Sequence, residues 1–209
     1  MSTVKSKKLQ VGTDATATNN FTIYQPASPD GTLRIGVGNA DSPTEVARVN
    51  SDGLADANGQ KLSNTPIVYV YKASTQSLSE ATNTTIQFDT KSIDTDNAFD
   101  TSTYEFTVPA GKAGKYQIQV DARLDGLASS NIDLAIAMIY KNNSIVKRNY
   151  WTFTANYIRT ANPACSIIVD LAEGDTIQGV CYINTVSNVG GNLLGGVNQS
   201  SMYIFKLIG

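Results

Sequence analysis

The stretch DTDNAFDTSTYEFTVPAGKAGKY, residues 94–116, sets a short aromatic run around Phe106 against a corner made by Pro109 and Gly111, after which Gly114 and Tyr116 open a second run. Proline fixes φ and cannot donate to a strand ladder, and glycine supplies the left-handed backbone of a tight corner, so the stretch predicts strand, turn, strand. Outward from it, Tyr116, Ile118, Val120, Ala122 and Leu124 alternate with Gln117, Gln119, Asp121, Arg123 and Asp125. A period of two places one set in a core and the other in polar surroundings, as in a half-buried antiparallel strand.

Further along, Ile132, Leu134, Ile136 and Met138 read as another inward series, while Ala135, Ala137 and Ile139 make the other side apolar too. The last run is also apolar on both faces, with Tyr203, Phe205 and Leu207 on one side and Met202, Ile204 and Ile208 on the other; Ile67, Tyr69 and Tyr71 belong to a similar first run, with Val68 and Val70 opposite. A sandwich strand needs only one apolar face, so the second implies burial in an oligomer. No amphipathic helical pattern occurs in residues 67–209, and the pattern predicts an all-β, antiparallel sandwich. Before it, Phe21, Ile23, Leu33, Ile35, Val46 and Val49 fall in short runs punctuated by Pro26, Pro29, Gly31, Gly36, Gly38, Pro43 and Gly53, too regular for solvated coil and too short for a core. The chain therefore divides into a small β module over residues 1–60 and a larger domain over residues 66–209.

The ordered set Asn97, Phe99, Asp100, Ser102, Thr103, Phe106, Pro109, Gly114 and Tyr116 resembles the globular head of complement component 1q and its tumour necrosis factor relatives. Residues 136–146 (IAMIYKNNSIV), 171–175 (LAEGD) and 200–208 (SSMYIFKLI) continue the likeness in order, with Asn143 where the family has glycine, a tolerable exchange because asparagine also adopts a left-handed backbone. The resemblance implies a jelly-roll head that trimerises through the sheet carrying its first and last strands. Tyr69, Tyr71, Met202, Ile204 and Ile208 are the interface residues expected from it. Residues 19–53 resemble the small β modules of bacteriophage fibre and head-surface proteins, which bury their apolar faces by trimerising or by lying on a neighbouring virion protein.

Composition narrows the function. Only 16% of residues are charged and the net charge is −2, which argues against general nucleic-acid binding and for surface buried in an oligomer. No apolar run reaches membrane-spanning length, so membrane insertion is not expected, and no secretory apolar core opens the chain, which points to synthesis in a host cytoplasm. The absence of histidine removes the usual general base and the commonest metal ligand. Cys165 and Cys181 sit in alternating apolar patterns and read as buried free thiols.

Few constellations are left to carry chemistry. Asp89, Asp94, Asp96 and Asp100 could hold a hard cation such as calcium, but Asp favours turns for its own reasons, and turn formation is the favoured reading. Trp151, Asn156 and the GGNLLGG segment with Leu193 and Leu194 are candidate contacts to a receptor or partner. Lys5, Lys7 and Lys8, with Phe21, Ile23, Leu33 and Ile35, are the candidate attachment residues. The expectation is a cofactor-free, non-enzymatic virion surface protein: a trimeric capsid decoration protein bound to the major capsid protein or another virion protein, or alternatively a receptor-binding fibre or spike tip that recognises a host-surface glycan or protein.

Overall fold

The computed structural model describes residues 8–51, 53–57 and 65–207. The chain divides into two compact units, residues 1–63 and 64–209. The described residues form strands joined by turns, with one short 3₁₀ turn at Ala17–Asn19 and no α-helix.

The first unit is a single antiparallel sheet of five strands in chain order: β1 (Lys8–Val11), β2 (Phe21–Tyr24), β3 (Leu33–Val37), β4 (Thr44–Asn50) and β5 (Gly53–Asp56). Register aligns Leu9, Ile23, Ile35 and Ala47 across four strands, with Val11, Phe21 and Val37 in a neighbouring row and Leu33, Val49 and Leu54 in a third. These rows share one face. The opposite face aligns Lys8, Tyr24, Arg34 and Arg48, where Glu45 accepts from Arg34 at 2.7 Å and from Arg48 at 2.5 Å and Asp30 accepts from Arg34 at 2.6 Å.

The second unit is a two-layer sandwich. Its strands are β6 (Ile67–Tyr71), β7 (Gln76–Leu78), β8 (Thr84–Thr85), β9 (Thr90–Asp94), β10 (Phe99–Asp100), β11 (Glu105–Thr107), β12 (Gly114–Asp121), β13 (Leu124–Asp125), β14 (Ile132–Lys141), β15 (Ser144–Thr152), β16 (Thr160–Ala161), β17 (Ala164–Leu171), β18 (Thr176–Thr185), β19 (Gly191–Leu193) and β20 (Ser201–Lys206). One layer runs β17-β12-β20-β6-β9 and the other β10-β11-β18-β14-β15, with β8 paired to β18; a small sheet β16-β13-β19-β7 lies beyond the end of β12. All pairing is antiparallel. The central place of β20 between β12 and β6 brings the last strand beside the first strand of this unit, the non-local closure of a jelly-roll sandwich.

The stretch 94–116 supplies much of the core. Phe99, Phe106 and Tyr116 are buried, and the rings of Phe106 and Tyr116 meet at 5.8 Å and 58°. Pro109 accepts the Lys112 N–H across the corner, where Gly111 has φ +70°, and the Tyr116 hydroxyl donates to the Lys112 carbonyl. Tyr116, Ile118, Val120, Ala122 and Leu124 are all fully buried, in agreement with the alternation. At the β14–β15 turn Asn142 and Asn143 both have positive φ, 49° and 62°, the conformation a two-residue hairpin of right-handed twist requires.

The reading of β14 needs a correction. Ala135, Ala137 and Ile139 face the core, and Leu134, Ile136 and Met138 face outward, where Ile136, Met138 and Val180 form a satellite cluster flanked by Tyr140 and Tyr182. A register shift between Ile132 and Leu134 is the physical cause: Ile132 pairs with Thr185 and Leu134 with Asn184, so one extra residue flips the alternation while Ile132 stays in the core.

Candidate functional site

Strands β6 and β20 carry the most distinctive surface of the head. Tyr69 pairs with Tyr203 across the ladder, and their rings stack at 4.7 Å and 7°, with Tyr71 at 6.2 Å from Tyr69. Phe205 pairs with Ile67, and Ile93 on β9 pairs with Tyr69, so Ile67, Tyr69, Tyr71, Ile93, Tyr203 and Phe205 share the outward face. Tyr203 is 38% exposed and Ile93 45%. The Tyr69 hydroxyl donates to the Val197 carbonyl, and burial, then the neighbouring Tyr203, raise its pKa. Ile168 on β17 stands 60% exposed on the same layer. Such a face can associate but offers no nucleophile.

Met202 and Ile204, expected at the interface, are corrected by this geometry. Both are fully buried and face Val70 and Val68 inside the sandwich, because successive side chains of a strand point to opposite faces and Tyr69 and Tyr203 occupy the outer one. Tyr203 and Phe205 take their place on the outward side. A signal for this was present in the sequence, since a tyrosine needs a polar outlet for its hydroxyl and two facing tyrosines suit a half-wet surface better than a dry core. Ile208 lies outside the described residues.

The carboxylates at the 94–100 corner each serve a turn. Asp94 accepts the Ala98 N–H at 2.7 Å and the Phe99 N–H at 3.2 Å, with the Lys91 ammonium at 3.1 Å; Asp100 accepts both the N–H and the hydroxyl of Ser102 at 2.7 Å. The Ser102 hydroxyl, then its N–H, hold the Asp100 carboxyl below the usual carboxylate range. Asp96 accepts from Thr95 at 2.7 Å and lies 3.5 Å from Lys112, and Asp89 pairs with Lys72 and accepts the Ala73 N–H. Among the described residues no three His, Cys, Asp or Glu side chains group to hold a metal ion. The hollow of about 480 Å³ beside this corner is lined by groups of both signs, including Lys91, Asp96 and Asp100, and is open to solvent. Cys165 and Cys181 are buried, and burial pushes each thiol up to about 12, so neither is a ready nucleophile.

The GGNLLGG segment is not a flexible loop. Gly191 to Leu193 form β19, Leu193 is fully buried, and the Leu194 N–H donates to the Arg123 carbonyl. The glycines serve close approach: a Cβ on Gly191 would stand 2.5 Å from the Asp125 carbonyl oxygen and 2.6 Å from Ile183, and one on Gly195 2.3 Å from Ser74. Trp151 and Asn156 are exposed, Trp151 at 39% on the edge strand β15 with Tyr150 on its other face beneath Arg148.

In the N-terminal sheet, Phe21, Ile23 and Leu33 are 52%, 37% and 48% exposed on one face, and Ile35 is half-buried between them. Lys8 lies on the other face and donates to the Ala40 carbonyl; Lys5 and Lys7 lie outside the described residues. The structure thus separates Lys8 from the apolar attachment candidates by the thickness of a strand. Leu9, Val11, Val49 and Leu54, between 39% and 58% exposed, extend the apolar face.

No protein-family model matches the sequence, and no curated relative does. Solved structures do match in fold. Eiger, a tumour necrosis factor of S. frugiperda, superposes with a TM-score of 0.52 at 11% identity, covering 69% of this chain and 94% of that chain. Murine APRIL at pH 8.0 gives 0.51 at 9% identity, covering 68% and 98%. The globular domain of the zebrafish complement 1qA protein gives 0.48 at 14% identity, covering 69% and 98%. The head is a jelly-roll sandwich of the kind seen in the first two.

Proposed function

We propose that this chain is a non-enzymatic bacteriophage structural protein displayed on the virion as a homotrimer, with residues 1–60 attaching a head formed by residues 66–209. Its leading role is capsid decoration: a trimer bound where coat subunits meet adds contact area at their seams, and because it binds assembled coat alone it stabilises the particle by linkage. The partners are copies of itself and the major capsid protein or another virion protein.

The observation that carries this reading is the outward face around the Tyr69–Tyr203 stack. It places six large apolar or aromatic side chains on a layer whose other face already completes the sandwich core. Exposed aromatic patches of this kind mark association sites. The threefold order follows from the resemblance of the motif series to heads that trimerise through this layer, and the virion setting from the resemblance of residues 19–53 to phage surface modules.

A second reading, a receptor-binding tip, is favoured by a separate feature. Asn131 donates to the Gly126 carbonyl and accepts from Val186 and Ser187, tying together two loops that expose Leu127, Val186 and Val189 at 49%, 48% and 62%. These loops lie beyond the Asp121–Ser201–Tyr71 row, at the end of the head opposite Pro66.

Electron microscopy of particles with and without the protein tests the choice. Head-surface density that disappears with the protein supports decoration; density at the tail supports the receptor-binding tip, and particles of either kind that never contain the protein overturn both.

A further inference from the structure

We propose that the outward face of β14, β15 and β18 binds an acidic polysaccharide of the uronate type, with Tyr150 and Tyr182 stacking on sugar rings and Arg148 taking a carboxylate. The site lies on the layer opposite the Tyr69–Tyr203 face, and it goes beyond both readings of the function without requiring either.

Three ladder rows make the site: Thr152–Leu134–Asn184, Tyr150–Ile136–Tyr182 and Arg148–Met138–Val180 with Thr85 at its end. This face lies outside the sandwich, yet Ile136, Met138 and Val180 are only 6%, 1% and 3% exposed, because Leu134, Tyr140 and Tyr182 pack around them. The floor is therefore dry before any ligand arrives, and a protein partner would gain little apolar burial by covering it. What stays accessible is amphipathic: the exposed Tyr150 ring and the half-buried Tyr182 ring, with the Asn184 amide and the Thr152 hydroxyl in the next row. Ring faces attract the C–H faces of pyranoses through dispersion and the ring quadrupole, and neutral amides and hydroxyls both donate and accept, as sugar hydroxyls require. Tyr150 and Tyr182 flank Ile136 two strand spacings apart, roughly 10 Å, a span that suits a chain of sugars rather than a single one.

Charge selects the acidic class. Across these rows Arg148 is the one charged side chain; its guanidinium lies 5.0 Å from the centre of the Tyr150 ring, and no carboxylate pairs with it among the described residues. The Asp133 carboxylate beside Asn184 is occupied, with one oxygen accepting the Asn184 amide at 2.9 Å and the other buried. Asp100 and Glu105 pair on β10 and β11, on the far side of β18. A guanidinium over a ring offers its planar fork to a carboxylate beside the stacking surface, and a uronate supplies the pyranose face and the carboxylate from one sugar unit.

Affinity electrophoresis of the full-length protein through gels containing hyaluronan, alginate or polygalacturonate tests the proposal, with neutral dextran for comparison. Because the net charge is −2, general retention by a polyanion is not expected. The expected result is retardation by at least one uronate polymer and none by dextran. Tyr150→Ala and Arg148→Ala should each weaken binding about tenfold, Arg148→Lys should keep part of it, and added salt should weaken the parent more than Arg148→Ala. Trp151→Ala should bind as the parent does, since that side chain leaves the same strand on the other face. Tyr150 and Arg148 are exposed on an edge strand, and circular dichroism melts matching the parent's confirm that these losses are not unfolding. Lack of retardation by all three polymers, equal retardation by dextran, or binding that survives both substitutions overturns the proposal. Loss in Trp151→Ala alone also overturns it, in favour of the β15 edge. None of these outcomes bears on where the protein sits on the particle, which electron microscopy decides.

Discussion

In the head, Tyr116, Ile118 and Val120 of one layer meet Ala135, Ala137 and Ile139 of the other, and all six are buried. In the N-terminal module, Phe21, Ile23 and Leu33 stand in similar rows on a similar antiparallel ladder and remain 37% to 52% exposed. Pattern alone therefore does not bury a side chain; a second layer does, and the head contains its own whereas the module must find one outside its own sheet. The head's leftover face around Tyr203 is surplus to folding, while the module's face is most of the apolar surface it has. A substitution on the first should cost assembly, and one on the second should cost the module itself.

The sharpest way to break that contrast lies on adjacent residues of β20. Ile204→Asp places a charge in a fully buried position facing Val68, and we expect a loss of more than about 4 kcal/mol that leaves the head unfolded. Tyr203→Asp, one residue away on the outer face, is expected to leave a folded head that sediments as a monomer. Circular dichroism melts and sedimentation velocity measure the pair, and a folded Ile204→Asp head would show that the sandwich core is not closed as described.

Deletion of residues 1–63 is the next largest test. The head should keep its melting transition and its trimer, because its core draws only on later residues, while it loses attachment to particles. Residues 1–57 alone at low concentration should show no cooperative transition, since a wet sheet cannot offset a backbone ordering cost of roughly 1–2 kcal/mol per residue. A truncated head that decorates particles at full occupancy would assign attachment to the head instead.

Smaller effects test what the glycines of the β19 region do. Leu193→Ala should destabilise the head by about 2–5 kcal/mol through a cavity, and Gly191→Ala by about 1–3 kcal/mol through the clash with Asp125 and Ile183. Thermal melts of both variants near the parent's would restore a mobile surface loop. This region also shows where sequence reading stops. Alternation along β12 identifies its buried side because the two sides differ in polarity, with Ile118 and Val120 set against Gln117 and Gln119. On β14 and β20 both sides are apolar, and period two cannot choose between them; a single extra residue near Asp133 then reverses the side expected for Leu134, Ile136 and Met138. Glycines at 190, 191 and 195 look like flexibility in one dimension and are close approaches to backbone in three, and Gly196 is held at a φ of +129° that other residues rarely adopt. The Asp94 to Asp100 carboxylates read as turn formers from their residue type alone, and the hydrogen bonds they accept are local ones, within five residues.

The smallest expected effect compares one carboxylate from each region. Lys141, then Asn142, hold Asp175 of the head at about 2, and Thr32, then Arg34, hold Asp30 of the module at about 2, both from an ordinary 3.8. A carboxyl whose folded pKa lies below its unfolded value contributes stability that is complete above about 3.8 and disappears as pH falls through about 2. Asp175→Asn should therefore lower the melting temperature of the head by a few degrees at about pH 5 and hardly at all at about pH 2, giving a flatter acid limb than the parent. Asp30 is solvent-exposed and its pairing with Arg34 is screened by salt, so Asp30→Asn should leave the head's profile unchanged and alter only the module's, and less in high salt. Parallel acid limbs for Asp175→Asn and the parent would remove Asp175 as a contributor. An Asp30→Asn change that shifted the head's limb would show that module and head melt as one cooperative body, and the two-region comparison would then have to be rebuilt around the coupling between them.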